Sequence, residues 1–396
     1  MNKVFSFHFS LKTGKMNLNG VSSYRKGVTG MKPFLAFLIT FIVFLSVAYI
    51  GYDLLDELST EDRPELQLTL EPNFEAESEF LAPDEEEEEN TDENESNEVF
   101  RSSEGDLHEW IGQEEEKLVD DLGDPDRVDV TPYGYDWHVY QFEDRYKQFG
   151  ISEEGVVTAF TNSEAVQLKD MGINEEYETV SDIYSFDSEQ TVTQGLSSYT
   201  FTLTETELRS RPLVQIEDGV WAQLYFDTFT NQLSSVRYLN DEVLLTHRPY
   251  SLQYTGELPE KEQLTGEEKE EWDESQARQI FDLSNKIRER HELDLLSWHS
   301  EAAETAYYHS KDMFDNEYFS HTSPNHGELK DRLESDDVSY RMAAENIAAR
   351  YVDGIAAVEG WLNSEGHRVN LLSEDLTHLG AGVYEDYYTQ NFITPR

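Results

Sequence analysis

The chain has 396 residues, with 82 Asp and Glu against 30 Lys and Arg, a net charge of −52 and no cysteine. This length allows two or three domains. A surface so acidic repels nucleic acid and anionic lipid headgroups, and the absence of thiols excludes disulfides and thiolate metal sites.

The N-terminal region predicts where the protein resides. Residues 1–52 contain no acid, and several Lys and Arg precede an uncharged apolar run at 34–50, FLAFLITFIVFLSVAYI. The run is close to the length of a membrane-spanning helix, and the acids all follow it. We therefore predict a basic cytoplasmic leader (1–33), a single transmembrane anchor (34–52) in the cell membrane, and extracytoplasmic domains beyond it. Secretion after signal cleavage is the alternative, since Ser46-Val47-Ala48 loosely fits a cleavage site.

The next segment, residues 53–106, is rich in acids, with a continuous acidic block at 84–89. Like charges repel one another, and few apolar residues are present to favour a compact core, so this stretch is expected to be an extended, mobile tether. Binding of divalent ions by the acidic run is an alternative to a solvated spacer.

Residues 107–247 predict a small α+β domain. Apolar residues at helical spacing from Trp110 to Leu122 indicate a helix that ends at Gly123-Asp124-Pro125. Another helical stretch is expected at 177–184, and the pattern suggests a weak internal duplication. Strands are expected at 135–142, 146–151, 156–160, 199–203, 221–226 and 233–239.

The start of this domain, IGQEEEKLVDDLGDPDRVDVTPYGYDWHVY, resembles the CAP-associated domain that precedes CAP domains in some Firmicute membrane proteins. That resemblance implies no catalytic residue, and His138 within it is interpreted as a packed or surface residue. The polar, acid-rich residues 248–274 predict a linker.

Residues 275–396 carry four motifs in order. They are YFSHTSP (318–324), AENIA (344–348), WLNSEGHRVNLL (361–372) and LGAGVY (379–384), and a helix with Ile280, Leu283 and Ile287 on one face precedes them. Together they resemble the CAP superfamily, which groups the cysteine-rich secretory, antigen 5 and class 1 pathogenesis-related proteins. The resemblance implies a three-layer α-β-α sandwich with an antiparallel sheet, whereas periodicity alone supports only an α+β class.

The resemblance also implies a cleft lined by two histidines and two acids. His321 matches the first histidine, Glu345 the first acid and His367 the second histidine, whereas Ser364 stands where the second acid is usual. Two imidazoles and a carboxylate can hold a divalent metal such as zinc or magnesium, or act as an acid–base pair. Ser364 is interpreted as a helix N-cap, with a nucleophilic role as the alternative, and a polar cleft without turnover stays open. His309 is assigned to packing, and Asn346 to fixing the backbone beside Glu345.

No HExxH, GxSxG or P-loop pattern occurs. We therefore expect a membrane-anchored, extracytoplasmic CAP-domain protein that binds a wall component, a lipid or a peptide at a bacterial cell envelope, with no nucleic-acid partner. A metal-dependent or acid–base hydrolase acting on wall or protein substrates is the alternative, and the sequence does not decide whether the chain is an enzyme.

Overall fold

The computed structural model describes residues 66–68, 78–81, 106–142 and 145–396. The predicted leader and anchor, residues 1–52, lie outside these ranges, and no helix within them is long and apolar enough to cross a membrane. Strands β1 (Leu66–Leu68) and β2 (Ser78–Leu81) lie within the predicted tether. Each pairs with a strand far downstream, so part of the predicted tether belongs to the folded protein.

The first domain contains a seven-stranded antiparallel sheet in the order β3-β4-β5-β6-β11-β10-β9. One core cluster packs Phe149, Leu224 and Tyr238 of this sheet with Leu118. The helix predicted from Trp110 to Leu122 is shorter in the structure, with a 3-10 helix at Leu107–Trp110 and α1 at Glu115–Leu122. The strands are β3 (Arg127–Asp129), β4 (Asp136–Phe142), β5 (Arg145–Ser152), β6 (Gly155–Thr161), β9 (Leu213–Glu217), β10 (Val220–Asp227) and β11 (Gln232–Asn240).

The rest of this domain is a four-stranded sheet and three short helices. The sheet has the order β1-β12-β8-β7, and the internal duplication stays a prediction. The helices are α2 (Tyr177–Ile183), α3 (Glu205–Ser210) and α4 (Asp241–His247), and the strands are β7 (Glu189–Gln194), β8 (Ser197–Thr202) and β12 (Ser251–Thr255).

The predicted linker contains ordered structure at both of its ends. Strand β12 pairs with β8, and helix α5 (Gly266–Arg290) begins well before the residues where apolar periodicity predicted it. The helix begins there because Thr265 and Glu268 form a capping box, in which each side chain bonds the backbone N–H of the other residue.

The last domain is a five-stranded sheet, in the order β13-β15-β16-β14-β2, between two layers of helices. Gln390 and Asn391 are consecutive on β16, so their side chains point to opposite faces. Gln390 bonds Ser284 of α5, while Asn391 bonds the carbonyl of Ala302 on α6, which places these helices on opposite faces. The elements are α6 (Ser300–Asp315), α7 (Leu329–Ser335), α8 (Gly354–Leu362), α9 (Glu365–Leu371), β13 (Ser297–Trp298), β14 (Tyr340–Ala349), β15 (His378–Tyr384) and β16 (Tyr387–Pro395).

The LGAGVY motif explains how closely α6 approaches the sheet. A Cβ atom at Gly380 would lie 2.2 Å from the backbone nitrogen of Ala303, and one at Gly382 would lie 2.0 Å from that of Tyr307. Only glycine fits at these two positions, so the motif sets the distance between α6 and the strand that it covers.

The two domains lie within one compact unit, residues 64–396, and buried polar contacts join them. Arg237 on β11 donates from Nη2 to both oxygens of Asp353, at 2.9 and 2.7 Å. Both side chains are buried, and Asp353 also caps α8 by accepting from the N–H of Ala356. Arg237 of the first domain thus supplies the cation that neutralises the buried Asp353 of the second.

We expect Arg237→Met to lower the free energy of unfolding by about 3–5 kcal/mol, because it leaves the Asp353 carboxylate buried without a cation. Asp353→Asn keeps the cap, and adding it to Arg237→Met should recover much of the loss. Urea unfolding of the four members of this cycle measures the coupling. Lys330→Met is the matched control, since the Lys330–Glu334 pair is exposed and should contribute less than about 1 kcal/mol. Equal losses in Arg237→Met and Lys330→Met would contradict the assignment.

Candidate functional site

Strand β14 presents two site residues on opposite faces. Glu345 lies opposite Asn391 in the register, and its side chain is on the face covered by α6. Asn346 is next in the strand and bonds Gln390, so its side chain lies on the face covered by α5. The AENIA motif therefore places one polar residue on each side of the sheet.

The carboxylate of Glu345 is fully buried and has a partner on each oxygen. Oε1 lies 2.7 Å from Nδ1 of His321, and Oε2 accepts from Nη2 of Arg332 at 2.5 Å. Burial alone would raise the pKa of Glu345, but the His309, Arg332 and His321 side chains together outweigh it and lower the pKa to about 2. The group is therefore a permanent carboxylate with both oxygens engaged.

This contact also sets the state of the His321 ring. A carboxylate only accepts, so Nδ1 of His321 carries the hydrogen, and in the neutral ring Nε2 is the basic nitrogen. Of the three residues predicted to share a cleft, the structure places His321 and Glu345 at hydrogen-bond distance.

The loop that carries His321 is held at both ends. Arg332 donates from Nη1 to the carbonyls of His321, at 2.6 Å, and Gly327, at 3.0 Å. Asp312 on α6 accepts from Ser323 Oγ at 2.6 Å and from Tyr318 OH at 2.5 Å. The YFSHTSP run is thus a loop whose tyrosine and second serine anchor it to α6, which fixes the histidine between them.

Asp312 is held as an anion by the residues that it anchors. Burial would raise its pKa, but the hydrogen bonds from Ser323, Tyr318 and Asn325 outweigh it and lower the pKa. Asn316 also donates to Asp312, at 2.8 Å. The sequence analysis did not single out Asp312, because its role depends on contacts formed only when the loop folds back on α6.

His367 and Ser364 form a second pair. Ser364 holds the N-cap position of α9, as predicted, but its side chain makes no capping bond. Its hydroxyl instead lies 2.7 Å from Nδ1 of His367, three residues later. The cap prediction was therefore right about the position and wrong about the bond. Side chains three residues apart are neighbours on a helix, so the hydroxyl of Ser364 bonds the imidazole of His367 instead of a backbone N–H.

Asparagines join the two pairs. Asn346 donates from Nδ2 to the carbonyl of His367 at 3.2 Å, and Asn370 of α9 donates to the carbonyl of Glu345 at 3.2 Å and to Oδ1 of Asn346 at 2.9 Å. The four predicted site residues therefore belong to one hydrogen-bonded region, although His321 with Glu345 and His367 with Ser364 make separate direct contacts.

His309 and Arg332 are site residues that sequence reasoning did not assign. Nε2 of His309 lies 3.8 Å from Oε1 of Glu345, and burial lowers the pKa of His309 to about 4 despite the nearby carboxylate. Its assignment to packing was incomplete, because the ring is buried against the site carboxylate. A buried carboxylate requires a cation nearby, so the sequence could have predicted a basic partner for Glu345. It could not have identified Arg332 as that partner.

The predicted zinc or magnesium site at His321, Glu345 and His367 does not fit the arrangement as it stands. Arg332 and His321 already occupy the oxygens of Glu345. Within residues 106–142 and 145–396, together with the two upstream strands, no group of three His, Cys, Asp or Glu side chains is placed to hold a metal ion. The metal site stays a prediction.

Three of the four site residues are buried, and Ser364 is partly exposed. The exposed fractions of His321, Glu345 and His367 are 8%, 0% and 1%. A cavity of about 130 Å³ lies elsewhere, where Asp227 and Ser234 of the first domain meet Arg290 and His291 at the end of α5.

Comparison with known proteins identifies relatives of both domains. Residues 111–250 match the CAP-associated N-terminal family, and residues 281–394 match the cysteine-rich secretory protein (CAP) family. The uncharacterized membrane protein YlbC of Bacillus subtilis is 42% identical over 288 residues, which cover 72% of this chain and 83% of that protein. The uncharacterized protein YkwD of the same organism is 37% identical over 118 residues, 29% of this chain and 46% of that protein.

Solved structures resemble the chain over both domains. An extracellular SCP-domain protein from Bacillus anthracis has a TM-score of 0.71 and 46% identity, covering 76% of this chain and 99% of that structure. A cysteine-rich secretory protein from Staphylococcus aureus has a TM-score of 0.65 and 22% identity, covering 74% of this chain and 94% of that structure. The second likeness concerns the fold alone.

The buried His309 predicts acid sensitivity. Its folded-state pKa of about 4 lies below the ordinary value of 6.5, so between these values the unfolded chain binds the extra proton. The free energy of unfolding should therefore fall as the pH falls through this window, by about 3 kcal/mol over its full width, and be unaffected by His309 above it. Glu345 adds a separate loss only below its ordinary value of 4.5.

Urea unfolding at pH 7, 6 and 5 measures this effect. His309→Leu should unfold with a shallower pH dependence than the wild type, because it removes the group that must be charged on unfolding. His326→Leu is the matched control, since its side chain is 64% exposed. An unchanged pH dependence in His309→Leu would show that the ring is not held neutral.

Proposed function

Because the chain belongs to the cysteine-rich secretory protein (CAP) family, we propose that it is anchored in the cell membrane by residues 34–52 and presents its CAP domain outside the cell as a binding module. The ligand is a component of the bacterial envelope, and the site is the region of His321, Glu345, His367 and Ser364. The membrane location of the YlbC relative, implied by its name, and the extracellular SCP-domain neighbour support this placement.

The observation that carries the proposal is that both carboxylate oxygens of Glu345 already have hydrogen-bond partners. A general base or metal ligand needs a carboxylate oxygen that it can offer to a substrate or an ion. Both oxygens of Glu345 are bonded, to His321 and Arg332, at 2.7 and 2.5 Å. Ser364, a neutral residue, stands where the family's second acid is usual. A rigid, polar region with its acid already paired suits recognition better than turnover.

The alternative of a hydrolase finds no support in the comparisons. Ser364 and His367 are within the reach that a nucleophile and its base require, at 2.7 Å. However, the two residues are neighbours at the start of one helix, where this contact also fixes the ring of His367. We therefore propose that Ser364 and His367 contact the ligand and do not react with it.

The binding proposal predicts that the two histidines are required. The double variant His321→Gln/His367→Gln should bind sedimented Bacillus subtilis cell walls, or vesicles of the zwitterionic lipid phosphatidylcholine, at least ~10-fold more weakly than the full-length wild type, a loss of about 1.4 kcal/mol. Glutamine retains an amide donor, so Glu345 can keep a partner and the fold should be preserved. Cosedimentation measures the binding, and thermal unfolding confirms that the variant is folded.

His326→Gln is the matched control, because it makes the same change on an exposed side chain of the same loop. It should bind like the wild type. Equal binding by the double variant and the wild type, or no binding by the wild type to walls or vesicles, would contradict the proposed function.

The proposed topology predicts labelling from outside. The chain has no cysteine, so a single engineered one is specific. Leu196 is 95% exposed in the turn after β7, and Leu196→Cys should react with a membrane-impermeant maleimide on intact protoplasts. Ser10→Cys, in the predicted leader, should react only after lysis. Labelling of Ser10→Cys on intact protoplasts would reverse the topology.

A further inference from the structure

The strand that carries Glu345 has an outer edge that is only partly covered. Strand β14 has ten residues, and β16 pairs with it along its whole length on one side. On the other side β2, a strand of four residues, pairs antiparallel with Ala343 to Asn346. The edge of the CAP domain's own sheet is thus occupied by a short segment from far upstream in the chain.

This short strand lies where the two halves of the site meet. Glu79 is opposite Glu345 in the register, and Ser78 is opposite Asn346. The His321 contact lies on the Glu345 face of β14, and the helix with His367 lies on the Asn346 face. Strand β2 also lies against α9. Removing β2 would therefore open the edge between the histidine pairs.

Because the site residues are buried, the position of β2 beside them affects how a ligand can reach them. His321, Glu345 and His367 are at most 8% exposed, so a ligand meets little of their surface while the surrounding elements stay in place. Among the described residues, β14, α6 and α9 are long or packed into the core of the domain. Strand β2 is the short element at this edge, and a four-residue edge strand is held by few ladder bonds.

We propose that residues 78–81 act as an internal ligand, and that an extended polypeptide of the envelope binds the CAP domain by replacing them as the edge strand on β14. This inference rests on the proposed function and names its ligand class. A strand edge presents backbone N–H and C=O groups at the spacing of another polypeptide backbone, which neither a lipid chain nor a glycan matches. The native pairing shows that the edge accepts an antiparallel strand.

The internal strand competes with any external one. A segment tethered to its own site has an effective concentration in the millimolar range, so it weakens the apparent affinity of a free peptide until it is displaced or disrupted. Disrupting β2 should therefore raise the affinity for a peptide, whereas fastening it should abolish binding.

The probe for this test is a fluorescein-labelled synthetic peptide with the sequence of residues 75–83, EAESEFLAP. The N–H groups of neighbouring strand residues point to opposite edges, so Glu79→Pro/Phe80→Pro removes a ladder donor whichever of the two faces β14. Fluorescence anisotropy with the full-length chain should give saturable binding to this variant and at least ~10-fold weaker binding to the wild type.

Glu86→Pro/Glu87→Pro is the matched control, because it places two prolines in the nearby acidic block outside β2, and it should behave like the wild type. A peptide of the same composition in scrambled order should not bind. Absence of binding to Glu79→Pro/Phe80→Pro, or equal affinity in all three chains, would overturn the proposal.

A reversible lock provides the second arm. Phe80 and Ala344 are directly paired, so their Cα atoms lie about 4.5–5.5 Å apart, within disulfide range. Oxidised Phe80→Cys/Ala344→Cys should not bind the peptide, and reduction should restore wild-type binding. Thr191→Cys/Thr200→Cys is the control, since it crosslinks the paired strands β7 and β8 away from the site. Peptide binding that survives the Phe80–Ala344 lock would place the peptide elsewhere.

Different results would contradict the proposed function and the strand-replacement proposal. If the full-length wild type binds cell walls in a manner that requires His321 and His367, but Glu79→Pro/Phe80→Pro does not bind the peptide, the proposed function stands and strand replacement is wrong. If walls or vesicles bind equally to the locked and reduced chains, the ligand is a glycan or a lipid. If neither walls, vesicles nor peptide bind, both proposals are wrong.

Discussion

The buried carboxylate of Glu345 is the constraint on which the CAP domain's site depends. A charge buried between a sheet and a helix is costly unless a cation and hydrogen-bond donors meet it there. Arg332 supplies the cation, and His321 supplies a donor. Because Arg332 also bonds the carbonyls of His321 and Gly327, the residue that neutralises the acid also shapes the loop that presents the histidine. Loop, helix and strand are therefore fixed by one set of contacts.

The same physical requirement joins the two domains. Arg237 of the first domain and Asp353 of the second are both buried, and each provides the opposite charge for the other at 2.7 Å. Tyr133 and Leu244 share an apolar core with Trp272 and Leu362. The CAP-associated domain is thus part of the structural support of the CAP domain, and a ligand that moves one domain must strain contacts with the other.

The sequence predicted the site best where a motif carried the information. YFSHTSP and AENIA supplied His321 and Glu345, which the structure places 2.7 Å apart, and periodicity located most of the longer strands of the first domain and the helix that carries Ile280. The sequence did not predict Arg332 and His309 as site residues, because their contacts with Glu345 are long-range and follow no local pattern. The N-cap at Ser364 was half right, since the imidazole of His367 competes for the hydroxyl.

The larger differences concern segments judged by composition. The acid-rich residues 53–106 and 248–274 read as tether and linker, yet they contain β1, β2, β12 and the start of α5. Edge strands are decided by the partner that accepts them rather than by their own composition, and the capping box at Thr265 begins a helix without an apolar stripe. Charge density alone therefore underestimated how much of the chain folds.

Amide hydrogen exchange of the full-length chain tests the central claim, that the site opens by release of its own edge strand. Exchange is followed by mass spectrometry with and without an excess of a ¹³C-labelled copy of peptide 75–83. The account predicts that the amides of 78–81 exchange faster when the peptide is bound, while those of 343–346 stay protected by the new strand. Unchanged protection of 78–81 at saturating peptide would contradict it.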